Sequence, residues 1–384
     1  MRSPTNHPAA RKLQRATPVV AAAMLASLPF AGSPAIAQEA GGASEAPAAP
    51  VTTQPLTGDT IEGLPPVAGD QSAFAQPSLP SPLTAPLPQL VEGEEPTTDL
   101  AYGLFQRGWY LTALSIATPL AEAGDAPAQT LLGVLHETGY GIQQDKKKAA
   151  DWYKLAAAKN DPQAALRLAQ LYLVGDGVQQ DKSRAADLFD IAAKAGNPNA
   201  LYNLAIIYQE GDGRPYDADK ALDYLRQSAQ QNDPKAQYAL GLAYMEGLNG
   251  LNDPGLGAFW LGRAARRGHT SAQVYYGILR FQGRGVDVDQ AEAAAWFERA
   301  AASGNPVAMN RLAKIYAYGA GREQDLVKAA AWHYMARALG VDDLQLDDFV
   351  ETLPNEVLEA ARVEAERNTA TLLPPSNDPS MASP

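Results

Sequence analysis

The stretch YLVGDGVQQD, residues 172–181, has the glycine-rich pattern of a loop that could hold a phosphate group. Glycines in such loops let backbone N–H groups approach the phosphate oxygens, and a Lys-Ser or Lys-Thr pair after them completes the site. No such pair directly follows Gly177, and Asp176 would repel phosphate. The stretch therefore predicts a turn rather than a nucleotide-binding loop.

The histidines and acidic clusters do not suggest a reactive site either. His7 lies near the N-terminus, while His136, His269 and His333 are far apart in the sequence. There is no GxSxG or HExxH string, and the chain contains no cysteine. The acidic stretches YDADK and VDVDQ lack the glycine and the final glutamate of a calcium loop. We expect no catalytic residue, no metal and no cofactor, and we interpret His136 as a packing residue.

The glycines of the first stretch belong to a period of 36 residues. In each period a second glycine, or once an asparagine, stands two residues after the first glycine. An aspartate stands four residues after this second residue. The first glycines are Gly139, Gly175, Gly211, Gly247, Gly283 and Gly319, and the aspartates are Asp145, Asp181, Asp217, Asp253, Asp289 and Asp325. A fixed period of this length indicates a repeat architecture, in which these residues are structural.

Each period contains two amphipathic segments. In the first, apolar residues occur at i, i+4, i+7 and i+8, the spacing of one helix face. The second is built around an aromatic or apolar pair such as Trp152-Tyr153, and the aspartate precedes it where an N-cap accepts from free backbone N–H groups. A glycine or asparagine closes the unit, as is common at helix C-termini. Every unit is thus predicted to be a helix, a glycine turn and a second helix.

The pattern A-x-x-x-L-G-x-x-Y-x-x-G-x-G-V-x-x-D-x-x-K-A-x-x-W-Y-x-x-A-A resembles the Sel1-like repeat, a relative of the tetratricopeptide repeat. Six copies span residues 128–343. The fourth copy departs from the pattern with Asn249 for the second glycine, and the fifth has Arg280 for tyrosine. The resemblance implies an all-α fold, a right-handed α-solenoid of helix–turn–helix repeats. Residues 98–127 resemble a tetratricopeptide-like capping pair, and 344–368 are expected to form a C-terminal capping helix.

The N-terminal region has the three parts of a secretory signal peptide. Four basic residues precede an apolar run over residues 19–30, and a small-residue sequence ends at Ala37. The apolar run is shorter than the roughly 20 residues that span a bilayer as a helix, and no other segment is long and apolar enough. We expect cleavage of residues 1–37 after Ala37 and a periplasmic or secreted mature chain without a transmembrane segment.

The composition of the remaining ends indicates disorder and an acidic protein. Residues 38–97 contain eleven prolines and no Lys or Arg, which predicts a disordered linker, and residues 369–384 are predicted to be a disordered tail. The whole chain has 31 basic and 43 acidic residues, and loss of the signal peptide would leave 27 basic residues. Phosphate binding depends on clustered Lys and Arg, so nucleic acid is not expected as a partner.

One face of the first helices is more apolar than exposure to water requires. In the middle repeats it carries aromatic residues and Met, which are enriched where proteins meet their partners. The candidate partner-binding residues are Tyr202, Ile206, Tyr238, Leu242, Met245, Val274, Ile278 and Phe281. The alternative is that the same side chains pack between the first helices of adjacent repeats.

The resemblance and the export signal together predict a non-catalytic scaffold that binds a protein or peptide and acts as an adaptor or regulator in the bacterial cell envelope. Some exported members of the family restrain membrane sensor kinases or tune envelope polysaccharide production, so the resemblance implies a membrane sensor or an envelope complex as partner. One alternative is a structural factor in envelope assembly or division. Another is a hydrolase of peptidoglycan or a β-lactam, an activity ascribed to cysteine-rich members whose cysteines this chain lacks.

Overall fold

The computed structural model describes residues 96–372. Over this range the chain forms sixteen α-helices and one short 3₁₀ helix, with no β-strand, so the predicted all-α class is confirmed. None of these helices is both long enough and apolar enough to cross a membrane. The expected signal peptide, the expected linker up to residue 95 and residues 373–384 of the expected tail lie outside the described residues.

The helices follow one another in pairs. Those of the six repeats are α3 (Ala126–Thr138), α4 (Lys146–Ala157), α5 (Pro162–Val174), α6 (Lys182–Lys194), α7 (Pro198–Glu210), α8 (Ala218–Gln230), α9 (Pro234–Glu246), α10 (Pro254–Arg266), α11 (Thr270–Gln282), α12 (Gln290–Ala302), α13 (Pro306–Tyr318) and α14 (Leu326–Ala338). They are preceded by α1 (Thr98–Gln106) and α2 (Tyr110–Glu122), and followed by α15 (Leu344–Glu351) and α16 (Asn355–Leu372). From α1 to α14 the two helices of each pair pack on each other, and the second packs on the first helix of the next pair; after them α16 packs on α14. This is the stacking of an α-solenoid.

The ends of the repeat helices are set by side-chain caps and by glycine. Each of the six aspartates predicted before a second helix is its N-cap and accepts a hydrogen bond, at 2.8–3.0 Å, from the backbone N–H three residues later. Each first helix ends at one of the six predicted glycines, which adopt φ values of 70–81°. Glycine takes this left-handed conformation without the steric cost of a Cβ, so the chain reverses there.

Small residues on the first helix make room for large ones on the second. Tyr153, Phe189 and Phe297 are among the largest fully buried side chains. A Cβ on Gly277 would lie 2.9 Å from the ring of Phe297, and one on Gly133 would overlap the ring of Tyr153. The alternation of small and large residues therefore lets the two helices of a repeat approach closely.

The second glycine of the turn lies against the preceding repeat. Gly177 has a φ of +70°, and a Cβ on it would lie 2.6 Å from the backbone oxygen of Lys146, the first residue of α4. Asp176 forms an ion pair with Lys146, and in the next repeat Asp212 pairs with Lys182 at 2.7 Å. The stretch at 172–181 is therefore a contact between repeats as well as a turn.

The fourth turn has a different backbone. Its residues Leu248–Gly250 form a 3₁₀ helix, with left-handed φ values at Gly247 and Gly250. The sequence pattern placed Asn249 at the second glycine's position, one residue before Gly250. Gly250 stands where the other five repeats have a residue other than glycine, and because glycine has no Cβ it takes the left-handed conformation of this turn easily.

In the fifth repeat an ion pair replaces the contact between a cation and a tyrosine ring that joins the two helices in other repeats. In three other repeats a Lys or Arg of the second helix lies over a tyrosine of the first, as Lys220 does over Tyr208 with its Nζ 5.2 Å from the ring centre. In the fifth repeat Arg280 replaces the tyrosine and Glu292 replaces the cation, and these two form an ion pair. An electrostatic contact is present in both cases.

The region after the last repeat contains two helices where the sequence predicted one. The eight-residue helix α15 begins after Asp343, whose side chain caps it. Helix α16 begins after Pro354, packs on α14 and continues four residues beyond the predicted end at Asn368. A helix as short as α15 gives too few turns for its apolar period to be recognised.

The contact at the second glycine predicts that Gly177→Ala lowers the free energy of unfolding more than Gly268→Ala does. Both Gly177 and Gly268 have a left-handed φ, but a Cβ on Gly268 would meet no atom within 4 Å. Gly268→Ala should cost about 1–2 kcal/mol of unfolding free energy from backbone strain alone. Gly177→Ala should cost a further 1–3 kcal/mol, about the loss that overpacking causes. Urea unfolding followed by circular dichroism measures both, and equal losses would contradict the proposed contact between repeats.

Candidate functional site

The first helices of the third, fourth and fifth repeats, α7, α9 and α11, carry the predicted partner-binding face. Five of its eight predicted residues are half-buried: Tyr202, Ile206, Tyr238, Leu242 and Phe281. Each of these side chains contacts the protein and still presents part of its surface to solvent. That these five contact a partner stays a prediction.

The other three predicted residues are not available. Met245, Val274 and Ile278 are buried, with exposures of 3%, 2% and 6%. Met245 belongs to a core cluster that includes Leu261 and Tyr276. The prediction that these three contact a partner is wrong, because their side chains are enclosed between helices. Burying an apolar side chain there stabilises the protein by about 1.5–3 kcal/mol relative to leaving it in water.

Three tyrosines form the centre of the accessible surface: Tyr202 on α7, Tyr238 on α9 and Tyr275 on α11. Burial, followed by the charge of Asp233, raises the pKa of Tyr202 to about 12, and Tyr238 contributes to the rise. Burial also raises the pKa of Tyr238 to about 12, with a further contribution from Tyr275. Tyr238 and Tyr275 pack against one core cluster, and Tyr202 packs against another that includes Leu240 of α9. The tyrosine face is defined here as the half-buried residues Tyr202, Ile206, Tyr238, Leu242, Tyr275 and Phe281.

His269 fixes the ring of Tyr238. The two rings are stacked, with centres 4.5 Å apart and planes inclined by 22°. The Nδ1 of His269 accepts a hydrogen bond from the backbone N–H of Ala272 at 3.2 Å, so His269 is the N-cap of α11. Burial, followed by the charge of Lys235, lowers the pKa of His269 to about 4. The imidazole is therefore neutral at pH 7, as the cap requires, since a protonated Nδ1 cannot accept a hydrogen bond.

Two charged residues border the tyrosines. Glu246 is exposed at the end of α9 and forms no ion pair with any residue in the range 96–372. Arg284 donates a hydrogen bond from Nη2 to the carbonyl oxygen of Met245 at 3.0 Å. Partial burial raises the pKa of the Glu246 carboxyl, and the charge of Arg284 opposes this rise. Burial and then the Glu246 charge raise the pKa of Tyr275. Glu246 directly follows Met245, a member of the core cluster against which Tyr275 packs.

The sequence indicated that Tyr275 could border this surface, but sequence reasoning missed the contributions of His269, Glu246 and Arg284. A signal was available for two of them. His269 stands where the other five repeats have Asp or Asn as N-cap. Arg284 likewise stands between two glycines, where the second and third repeats have aspartate. A departure from the repeat pattern at a position with a known structural role is therefore the feature that marks this surface.

A separate cleft of about 470 Å³ lies between α2, α3 and α4. Its polar lining includes His136, Asp145 and Lys148. The Nδ1 of His136 is enclosed by protein atoms, Asp145 caps α4, and Lys148 lies 3.7 Å from Asp145. Asp145 and Lys148 therefore serve the protein's own structure, and we assign no ligand to the cleft.

The described residues offer no arrangement that resembles a reactive centre. The Nε2 of His333 lies 2.9 Å from Oδ1 of Asp347, but the His333 side chain is 1% exposed, so a substrate could not reach it. Residues 96–372 contain no group of three or more potential metal ligands.

The depressed pKa of His269 predicts a specific dependence of stability on pH. The unfolded chain gains a proton on His269 as the pH falls below 6.5, whereas the folded chain resists protonation until about pH 4. Stability is therefore fully present above pH 6.5 and is lost between pH 6.5 and 4, by up to about 3 kcal/mol at 1.36 kcal/mol per pKa unit. Urea unfolding at pH 7 and pH 4.5 measures this loss.

The matched control is His269→Asn, because Asn caps α7 and α13 at the same repeat position and does not titrate. The variant should retain the cap and lose less stability than the parent between pH 7 and pH 4.5. An equal loss in the two proteins would show that His269 does not have a depressed pKa.

Comparison with known proteins identifies the repeats. The Sel1 repeat matches residues 126–161, 162–197, 198–233, 234–269, 270–305 and 306–341. These six copies are consecutive and cover more than half of the chain. No curated protein gives a significant match.

Two solved structures resemble the chain over most of the helical region. One is a protective antigen of uropathogenic Escherichia coli strains with an SLR fold, which is 25% identical, with coverage of 73% of this chain and 70% of the antigen and a TM-score of 0.52. The other is a Sel1 repeat protein from Oxalobacter formigenes, also 25% identical, with coverage of 63% of this chain and 97% of that protein and a TM-score of 0.57. With six consecutive matching repeats and this stacking of helix pairs, the chain belongs to the Sel1 repeat family.

Proposed function

We propose that this protein is an exported, non-catalytic scaffold that binds a protein or peptide partner through the tyrosine face and acts as an adaptor or regulator in the bacterial cell envelope. The observation that carries the proposal is the cluster of half-buried tyrosines on α7, α9 and α11. Aromatic side chains that are held in place but still accessible lose little entropy on binding and contribute large contact areas.

The architecture supports a role as a scaffold. Sel1 repeats are typically modules for protein interaction, and the six first glycines and six aspartates of the period form turns and caps in this chain. Surfaces of repeat proteins are built from successive helices, so one partner segment could contact α7, α9 and α11 together. An envelope location follows from the signal-peptide pattern of residues 1–37 and is part of the proposal.

Export predicts a defined N-terminus. When the full chain is expressed in a Gram-negative host, the protein recovered from the periplasm should begin at Gln38, as determined by intact mass. Ala37→Arg should block cleavage because the peptidase requires a small residue there, whereas Ala40→Arg should not. Recovery of a chain from the cytoplasm that retains residues 1–37 would contradict the proposed location.

Partner binding predicts that crosslinking depends on position. A photocrosslinking phenylalanine at Tyr238 should give a discrete protein adduct in envelope preparations, and Tyr202→Ala should reduce its yield. The control places the same group at Tyr216, which is 59% exposed in a turn outside the tyrosine face. An adduct formed at position 216 and not at position 238 would show that the partner binds outside the tyrosine face.

A further inference from the structure

We propose that the partner segment presents a Lys or Arg side chain to the tyrosine face, with its aliphatic part between Tyr238 and Tyr275 and its cationic end at Glu246. This inference rests on the proposed function, because it specifies the chemistry of the partner for the same surface. The partner is thus a polypeptide segment with a cationic residue flanked by apolar residues.

The two tyrosines are placed to form such a subsite. Tyr238, Tyr275 and Leu242 pack against one core cluster, which includes Met245 and Tyr276. The Tyr238 ring is held by its stack on His269, with ring centres 4.5 Å apart. A cation near the face of a fixed aromatic ring is attracted by the ring's quadrupole, and the aliphatic part of Lys or Arg can cover apolar surface.

The charges of the face favour a cation over an anion. Glu246 has no ion-pair partner among residues 96–372, while Glu210, at the corresponding end of α7, pairs with Lys182 at 3.5 Å. Arg284 is held by its hydrogen bond to the carbonyl oxygen of Met245. Arg284 acts on the Glu246 charge without forming an ion pair with it, so a Lys or Arg from the partner would add a direct counter-charge and offset the cost of desolvating the carboxylate.

The surroundings of this subsite define the neighbouring residues of the partner. Ile206, Leu242 and Phe281 are half-buried apolar side chains on the same three helices. Apolar residues beside the cation would cover them, whereas an acidic segment would be repelled by Glu246 and by the net charge of −12 of the whole chain.

Peptide binding to the purified full chain tests the inference. The probes are fluorescein-labelled peptides of sequence GSLAXLAGS in which X is Lys, Gln or Glu, and fluorescence anisotropy measures the dissociation constants. The Lys peptide should bind about tenfold more tightly than the Gln peptide, and the Glu peptide should bind most weakly. The preference for Lys should decrease as salt is raised, because Glu246 is exposed.

Two variants connect the preference to the subsite. Glu246→Gln should reduce the preference for Lys over Gln to about twofold. The matched control is Glu323→Gln, since Glu323 is also exposed and has no ion pair within the described part of the chain, and the preference should be unchanged. Tyr238→Ala should weaken binding of all three peptides. Circular dichroism at the assay temperature establishes that each variant is folded.

The outcomes separate this inference from the proposed function. Equal affinity for the three peptides, with all binding lost in Tyr238→Ala, would overturn the cationic subsite and leave the tyrosine face as a binding surface. Preference for the Glu peptide would also overturn it and would point to Arg284 as the recognition group. If no peptide binds, or if Glu323→Gln has the same effect as Glu246→Gln, the subsite is refuted, while crosslinking at Tyr238 still tests the proposed function.

Discussion

Each helix pair of this protein has apolar faces that only a neighbouring pair can cover, and the rest of the structure depends on this constraint. The turn makes the stacking specific. At Gly177 the backbone of one repeat lies against the first residue of the helix in the preceding repeat, and the Asp176–Lys146 ion pair joins the same two segments. The spacing between repeats is thus fixed by backbone contact, and the aspartate caps fix where the helices begin.

Much of this architecture can be predicted from the sequence because the same physical requirement recurs six times. A position that must be left-handed needs glycine, and a free helix N-terminus needs a capping oxygen, so Gly175 and Asp181 could be interpreted from their types and spacing alone. Contacts between repeats are harder to predict from the sequence. Nothing in the local pattern shows that Gly177 meets Lys146, because that contact depends on how two repeats stack.

The candidate site could be predicted only in part for a related reason. Periodicity identifies the helix face but does not distinguish half-buried residues from buried ones, so Tyr238 and Val274 were assigned to the same surface. The hydrogen bond by which His269 caps α11 and the stacking of its ring on Tyr238 depend on how α9 and α11 pack, which the sequence pattern does not show. Function in a repeat protein is expected where the pattern varies at positions that packing leaves partly open, and the surface around Tyr238 meets both conditions.

The turns and second helices hold the structure, and we propose that the first helices of the third to fifth repeats present the binding surface. Hydrogen–deuterium exchange of the full chain, with and without the peptide GSLAKLAGS, tests this most directly. The account predicts added protection in residues 198–210, 234–246 and 270–282, and unchanged exchange in the second helices of the same repeats. Protection confined to the glycine turns or to the second helices would contradict it.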